Sequence, residues 1–178
     1  MLVTSIHRDH RNISRLLKLL SKKLTAIQQE RPVNYSLIKD TVSYLQEYAE
    51  KYHHPKEDLI YHYYLQHYPD SEGVARLDDE HEALAGLTAE FADTVDMILM
   101  DAVIPLDLFA NKLNRFVGCQ KEHLDLEEKT ILPVLEQTLT TEDWEYLQTQ
   151  WEEEDIDPLF GEQVADRFKE LSAALKGP

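Results

Sequence analysis

One pattern of potential metal ligands occurs twice in this chain. Each copy contains a single histidine followed, 42 or 43 residues later, by a His-x-x-x-Glu motif. The six residues are His10, His53 and Glu57 in the first copy, and His81, His123 and Glu127 in the second. Corresponding positions are offset by 70 or 71 residues, which indicates an internal repeat. Four imidazoles and two carboxylates arranged in this way are the donors that a two-metal site needs.

Apolar residues around the repeated pattern follow the spacing of helices that each bury one face. Two such stripes cover residues 6–27 and 77–98, and each contains the single histidine of its copy. Two longer helices, at about residues 34–67 and 105–137, contain the His-x-x-x-Glu motifs. Four long helices with short connections predict an all-α fold, an up-down-up-down four-helix bundle.

The predicted bundle occupies about residues 4–137 of a single domain that covers residues 1–178. Prolines at positions 55 and 133 fall inside the two longer helices, where we expect local kinks.

One or two additional C-terminal helices are predicted in an extension over about residues 138–178. The first opens at Thr141-Glu142-Asp143-Trp144, which has the composition of a helix start. The charge run at residues 152–155 is interpreted as its exposed end. Apolar positions from Leu159 to Leu175 indicate a last amphipathic helix that packs against the bundle.

The turns of this bundle indicate whether the six residues lie at one height. In a helical hairpin, residues equidistant from the turn are level with each other. The midpoint of His10 and His53 is position 31.5, and that of His81 and His123 is position 102, both inside predicted turns. The midpoint between position 55 and His81 is position 68, beside Pro69. The sequence therefore predicts that all six residues form one layer of the bundle.

This layer has the chemistry of a metal centre. Residues four apart on a helix differ by about 40° around its axis, so both members of each His-x-x-x-Glu motif can face one point. Unpaired buried carboxylates would each cost on the order of several kcal/mol, which bound cations would offset. Nitrogen and oxygen donors suit iron, manganese or zinc. Two shared carboxylates and a bridging oxide or hydroxide would give each ion five ligands and one open position, which favours two iron ions over manganese or zinc.

Other polar residues near the layer are less well supported as metal ligands. His54 lies about 100° around the helix from His53 and is interpreted, together with Asp58, as an outer or surface residue. If the helix phase differs, His54 and Asp58 are the alternative ligand pair. Glu50 precedes His53 by three residues, as in ferritin-like sites, but Gln120 at the corresponding place disfavours that interpretation.

The composition argues against several classes of function. The chain has 34 acidic and 18 basic residues, a net charge of −16, so nucleic acid and anionic membranes are not expected partners. No apolar run approaches the roughly 20 residues that span a bilayer, and no signal peptide is recognisable. A single cysteine, Cys119, allows no internal disulfide. We therefore expect a cytoplasmic protein, and the sequence leaves a homodimer open.

These residues resemble the hemerythrin-like family, also called HHE cation-binding domains, over residues 6 to about 137. Besides the ligand pattern, the resemblance is carried by the runs Asp9-His10-Arg11-Asn12-Ile13, His53-His54-Pro55-Lys56-Glu57, Asp79-Glu80-His81 and His123-Leu124-Asp125-Leu126-Glu127-Glu128. The run at residues 157–161 resembles the tail of bacterial stand-alone members. The resemblance implies a four-helix bundle with an oxo-bridged di-iron centre.

One departure from the family pattern narrows the implied function. Oxygen-carrying hemerythrins have a second histidine four residues after the third-helix ligand, and that position here is Ala85. The six-ligand set is instead similar to that of the family's nitric-oxide-responsive and iron–sulfur-repair proteins and of its iron sensors. The resemblance therefore implies binding or sensing of O2, NO, peroxide or redox state rather than reversible O2 carriage.

Two alternative functions stay open at this point. A di-iron enzyme, such as a peroxidase, oxidase or NO reductase, would use the same open coordination positions for turnover. An iron-handling, iron–sulfur-repair or partner-binding module would use the acidic exterior and the C-terminal helices.

Overall fold

The computed structural model describes residues 2–70, 73–151 and 156–177, which are mostly helices joined by turns. The α-helices are α1 (Leu2–Gln28), α2 (Tyr35–Tyr44), α3 (His54–His67), α4 (Leu77–Leu99), α5 (Leu106–Leu126), α6 (Leu132–Thr138), α7 (Thr141–Gln150) and α8 (Lys169–Lys176). Two π-helical segments are π1 (Leu45–His53) and π2 (Glu127–Ile131). Within these described ranges, no helix has the length and apolar character needed to cross a membrane.

Four long helical rods form the body of the fold. The first rod is α1, the second joins α2, π1 and α3 without a break, the third is α4, and the fourth joins α5, π2 and α6. The helix α1 packs mainly against α5, α2 packs against α4, and α4 also packs against α5. The predicted all-α bundle with additional C-terminal helices is confirmed.

Local backbone chemistry sets the ends of the rods. Asn34 caps the start of α2 because its side chain accepts a backbone amide two residues later, at 2.9 Å. A left-handed residue follows two positions after the end of α1 and of α4, namely Glu30 with φ 55° and Asp101 with φ 64°. In each case the next amide donates to a carbonyl five residues earlier, at 2.8 and 2.9 Å. These closures produce the short turns that make consecutive rods antiparallel.

The two prolines lie where the second and fourth rods change from π to α winding. The segment π1 ends two residues before Pro55, and π2 ends two residues before Pro133. The amide after each segment pairs with the carbonyl five residues earlier, as His54 does with Ala49. A proline ring lacks an N–H and clashes with the carbonyl four residues before it, so the wider winding accommodates it. The irregularity expected at each proline therefore takes the form of a π-helical segment.

The apolar core consists of two clusters on either side of the predicted ligand layer. The larger cluster, which includes Leu20 and Phe116, lies on the side of the turns at residues 29–34 and 100–105. The smaller cluster lies on the other side and includes Ile6. Apolar side chains on both sides therefore shield the polar layer from solvent.

The first C-terminal helix, α7, begins with a capping box. The Thr140 side chain accepts the amide of Asp143 at 3.2 Å, and the Asp143 carboxylate accepts the amide of Thr140 at 2.8 Å. Asp143 also accepts the hydroxyls of Tyr63 and Tyr68, both at 2.5 Å, which joins α7 to the second rod. The charge run predicted as the exposed end of this helix lies outside the described residues.

The last helix is shorter than the sequence pattern predicts. Apolar residues in the range 159–164 lie in turns, and α8 begins only at Lys169. The buried carboxylate of Asp157 explains the difference, because it accepts two amides of the turn that follows, at 2.9 and 2.8 Å. A Cβ atom at Gly161 would overlap the carbonyl oxygen of Asp157, so this turn requires a glycine.

Replacing Asp157 is expected to loosen the C-terminal extension from the bundle. Its carboxylate accepts the hydroxyl of Tyr44 at 3.0 Å, and Tyr44 packs against Phe160 and Phe168. Asp157→Ala should lower the free energy of unfolding by about 1–3 kcal/mol, because buried donors lose their acceptor. Denaturant-induced unfolding measures this change. Asp166→Ala, at an exposed carboxylate, should change it by less than about 0.5 kcal/mol, and equal effects in the two variants would contradict the assignment.

Candidate metal centre

The structure brings all six predicted ligands together in one layer of the bundle. The first rod provides His10, the second His53 and Glu57, the third His81, and the fourth His123 and Glu127. Each of the four histidines is at most 6% exposed, and both glutamates are completely buried. The shared height expected from the turn midpoints is thus a property of the folded bundle.

The carboxylate of Glu57 lies among three imidazoles. Its Oε1 atom is 2.8 Å from Nε2 of His10 and 3.2 Å from Nε2 of His53. Its Oε2 atom is 3.4 Å from Nε2 of His81. One carboxylate therefore reaches histidines of the first, second and third rods.

Glu127 occupies the equivalent position on the fourth rod. Its Oε2 atom is 3.2 Å from Nε2 of His123 and 3.3 Å from Nε2 of His10. Its Oε1 atom is 3.4 Å from Nε2 of His81 and accepts the buried hydroxyl of Tyr61 at 2.8 Å. Both carboxylates thus contact His10 and His81, which is the placement expected of bridging ligands.

Several buried atoms of this layer have no hydrogen-bond partner among the described residues. They are Nε2 of His53, His81 and His123, Nδ1 of His53, and Oε2 of Glu57 and Glu127. Buried polar atoms are nearly always paired, because leaving one unpaired costs free energy. Lone pairs of imidazole and carboxylate that face a common point suit a bound cation such as iron, manganese or zinc. The residues present therefore fit a metal cluster.

Two groups of residues in the layer have the geometry to hold one ion each. The first group is His10, His53 and Glu57, and the second is His54, Glu57, His81 and His123. Within a group, one donor atom from every residue lies within 4.8 Å of the others. Because Glu57 belongs to both groups, it is placed to bridge two ions.

An outer set of carboxylates contacts the other ring nitrogen, Nδ1, of the four histidines. The contacts are His10 with Glu128, His81 with Asp58, His123 with Glu80 and His53 with Asp9, at 2.7, 2.7, 3.3 and 3.4 Å. Such contacts orient a ligand histidine and favour a proton on Nδ1, so that Nε2 can bind a metal.

Sequence reasoning identified only Asp58 among these outer carboxylates. The other three, Asp9, Glu80 and Glu128, were missed as partners. One signal was available, because each outer carboxylate is the immediate sequence neighbour of a predicted ligand. With 34 acidic residues in the chain, adjacency alone does not distinguish such a partner from an exposed side chain.

The buried carboxylates govern the protonation of the layer. Burial lowers the pKa of His10, but the nearby carboxylates of Glu127, Glu128 and Glu57 outweigh it and raise the pKa to about 12. Burial also lowers the pKa of His81, and its neighbouring carboxylates, first Asp58, likewise raise it to about 12. Burial raises the pKa of Glu57, but the surrounding histidines hold it well below its usual value. The layer thus attracts positive charge, which protons or metal ions can supply.

Comparison with known protein families agrees with this geometry. The family model for the hemerythrin HHE cation binding domain matches residues 1–135, a range that includes all six predicted ligands. The chain belongs to the hemerythrin HHE cation-binding family. No curated protein sequence and no solved structure matches it at a significant level.

Membership of the hemerythrin family accounts for cation binding by the bundle. The matched range ends inside α6, so α7, the turn at Asp157 and α8 lie beyond it. The family match and the cluster of buried donors therefore concern the same part of the chain.

His54 lies closer to this hemerythrin centre than its helical phase predicted. Its side chain is buried, and its ring stacks on His81 with a centroid distance of 4.1 Å and an interplanar angle of 9°. Of the two interpretations made from sequence, outer or surface residue, the surface one is wrong. The π winding over Leu45–His53 changes the phase of the rod, and both His53 and His54 lie on its buried face. Asp58 does not pair with His54 but contacts His81 from outside.

Burial also sets the charge state of His54. Burial away from solvent is the largest cause that holds the pKa of His54 well below 6.5, and the nearby His81 and His53 lower it further. The imidazole is therefore neutral at pH 7, and a nitrogen lone pair is available.

The other residues considered from sequence lie beside the layer. Glu50 lines a small internal cavity together with His54. Cys119 is half-buried and lines a cleft of about 350 Å³ that reaches His123. Nδ1 of His7 is 2.9 Å from the same Glu128 carboxylate oxygen that contacts His10. His7 therefore contacts one of the outer carboxylates.

Removing the charge of an outer carboxylate is expected to weaken metal binding by this hemerythrin-family chain. Asp58→Asn keeps the shape of the partner of His81 but not its charge, and should lower metal affinity by about 10- to 100-fold. Competition with a chelator measures the affinity. The control is Asp78→Asn, since the Asp78 carboxylate pairs with the exposed His62 at 2.6 Å. An unchanged affinity for Asp58→Asn would mean that Asp58 does not support a ligand.

Proposed function

We propose that this hemerythrin-family chain is a non-haem di-iron protein that binds or senses O2, NO or redox state. In this proposal, two iron ions joined by a bridging oxide or hydroxide would be held by His10, His53, Glu57, His81, His123 and Glu127. Glu57 and Glu127 would be shared between the ions, and the outer carboxylates would orient the histidines.

The observation that carries this proposal is the convergence of four imidazoles on two completely buried carboxylates. Both carboxylates contact the same two histidines, His10 and His81, from different rods. Four imidazoles and two shared carboxylates offer more donor atoms than a four-coordinate structural zinc site uses. All of these donors are nitrogen or oxygen, and none is a thiolate. Bound iron would supply redox chemistry and affinity for small ligands, while the bundle supplies orientation and exclusion of water.

Access to the layer favours a small ligand. The four predicted histidines are at most 6% exposed, so an organic substrate cannot contact the centre without rearrangement of the rods. A cleft of about 350 Å³, bounded by Arg115, Cys119 and Glu122 among others, leads from the surface to His123. A diatomic molecule or peroxide is small enough to enter the layer without such a rearrangement.

Iron loading tests the proposed centre. The wild-type chain, loaded anaerobically with ferrous iron and then oxidised, should contain two irons and show oxo-to-iron charge-transfer absorption. His123→Ala or Glu127→Ala should abolish this absorption, since each removes a donor from the cluster. The control His67→Ala changes an exposed histidine outside the layer and should keep the full absorption. Full absorption in the His123 and Glu127 variants would refute the assignment.

Addition of ligands to the reduced, iron-loaded chain tests the sensing function. O2 or NO should change the visible spectrum once per centre, and an unchanged spectrum would contradict the proposal. Repeated turnover of peroxide or NO with an electron donor would instead assign the enzyme alternative. One observation favours that alternative, because the buried Tyr61 hydroxyl donates to Glu127 and places an oxidisable phenol beside the centre.

A further inference from the structure

His54 is a buried imidazole beside the centre that the six-ligand set does not use. Its ring lies 4.1 Å from that of His81 and 5.8 Å from that of His123, measured between centroids. One of its ring nitrogens lies within 4.8 Å of donor atoms of Glu57, His81 and His123. All three of these neighbours belong to the predicted ligand set, so His54 has the surroundings of a ligand.

A small internal cavity beside the centre is lined by His54 and His123 and, from α4, by Thr88. The position on α4 four residues after His81 is Ala85, which contributes only a methyl group.

We propose that His54 is a fifth imidazole ligand, whose ring turns out of its stacked contact with His81 to bind the same metal ion as His81 and His123. This inference rests on the proposed di-metal centre. The second rod thus supplies two consecutive histidines to the centre, whereas α4 supplies His81 alone. His53 serves one ion and His54 the other.

The position of the two consecutive histidines suits ligands of different ions. Neighbouring helical residues point about 100° apart, so two buried neighbours reach different sides of a two-metal centre. His53 is the last residue of π1 and His54 the first of α3. Both rings lie in the interior at this junction, with centroids 5.6 Å apart.

A fifth imidazole makes the two ions inequivalent. With both carboxylates and the bridging oxygen shared, the ion bound by His10 and His53 has five ligands. The ion bound by His54, His81 and His123 has six and no free position. An incoming small molecule would therefore bind at the ion on the His10 side.

The direct test is a crystal structure of the wild-type chain loaded with iron. A His54 nitrogen should lie at about 2.1 Å from the ion that His81 and His123 bind, a normal metal–imidazole distance. This measurement needs no variant and so does not depend on variant folding. Loss of the ligand in His54→Ala should weaken retention of one of the two irons by at least about tenfold. His62→Ala, at an exposed position, is the control and should retain both ions like the wild type.

Mössbauer spectra provide an independent reading of the same centre. The oxidised wild type should give two iron signals of equal area, since the two coordination spheres differ, and His54→Ala should change one of them. If both His54 nitrogens lie more than about 3 Å from the ion that His81 and His123 bind, the inference is overturned while the di-iron centre stays in place. A wild-type chain that takes up no iron would instead overturn the proposed function itself.

Discussion

The burial of two carboxylates inside an apolar bundle is the constraint on which this structure depends. Glu57 and Glu127 are completely buried between two apolar clusters, where an uncompensated charge would cost on the order of several kcal/mol. The histidines of all four rods can offset that cost with positive charge. The histidines supply it as imidazolium when protons are bound, or as ligands when cations are bound. The layer thus couples the packing of the bundle to the occupancy of its centre.

Much of the bundle and of its inner layer could be predicted because both follow from regular helical geometry. A spacing of four residues places a histidine and a glutamate on one face of a helix, and short turns determine which residues of neighbouring rods are level. His10 and His53 are 43 positions apart and still meet, since the turn that joins their rods lies at their midpoint. The role of these residues as metal ligands remains a proposal.

The rest could not be predicted because it depends on departures from regular geometry. The burial of His54 depends on π winding before Pro55, and an analysis at 100° per residue places this ring outside the centre. Near the end of the chain, the predicted helix is interrupted because the buried carboxylate of Asp157 accepts two backbone amides and forms a turn. The outer carboxylates depend on side-chain reach across rods, as in the contact of His10 with Glu128, which sequence adjacency does not encode.

The alanine at position 85 has a different meaning once the position of His54 is considered. Judged by sequence alone, Ala85 removes a donor from one metal ion and argues against reversible O2 binding. In the folded bundle, a buried imidazole from the neighbouring rod, His54, lies beside His81 and His123. If His54 binds, one ion is saturated and the other keeps an open position, and that asymmetry is a requirement for binding a small molecule at one ion alone. The donor missing at position 85 is then replaced by an imidazole of the second rod, and reversible binding and sensing have to be distinguished by the rate at which the ligand leaves.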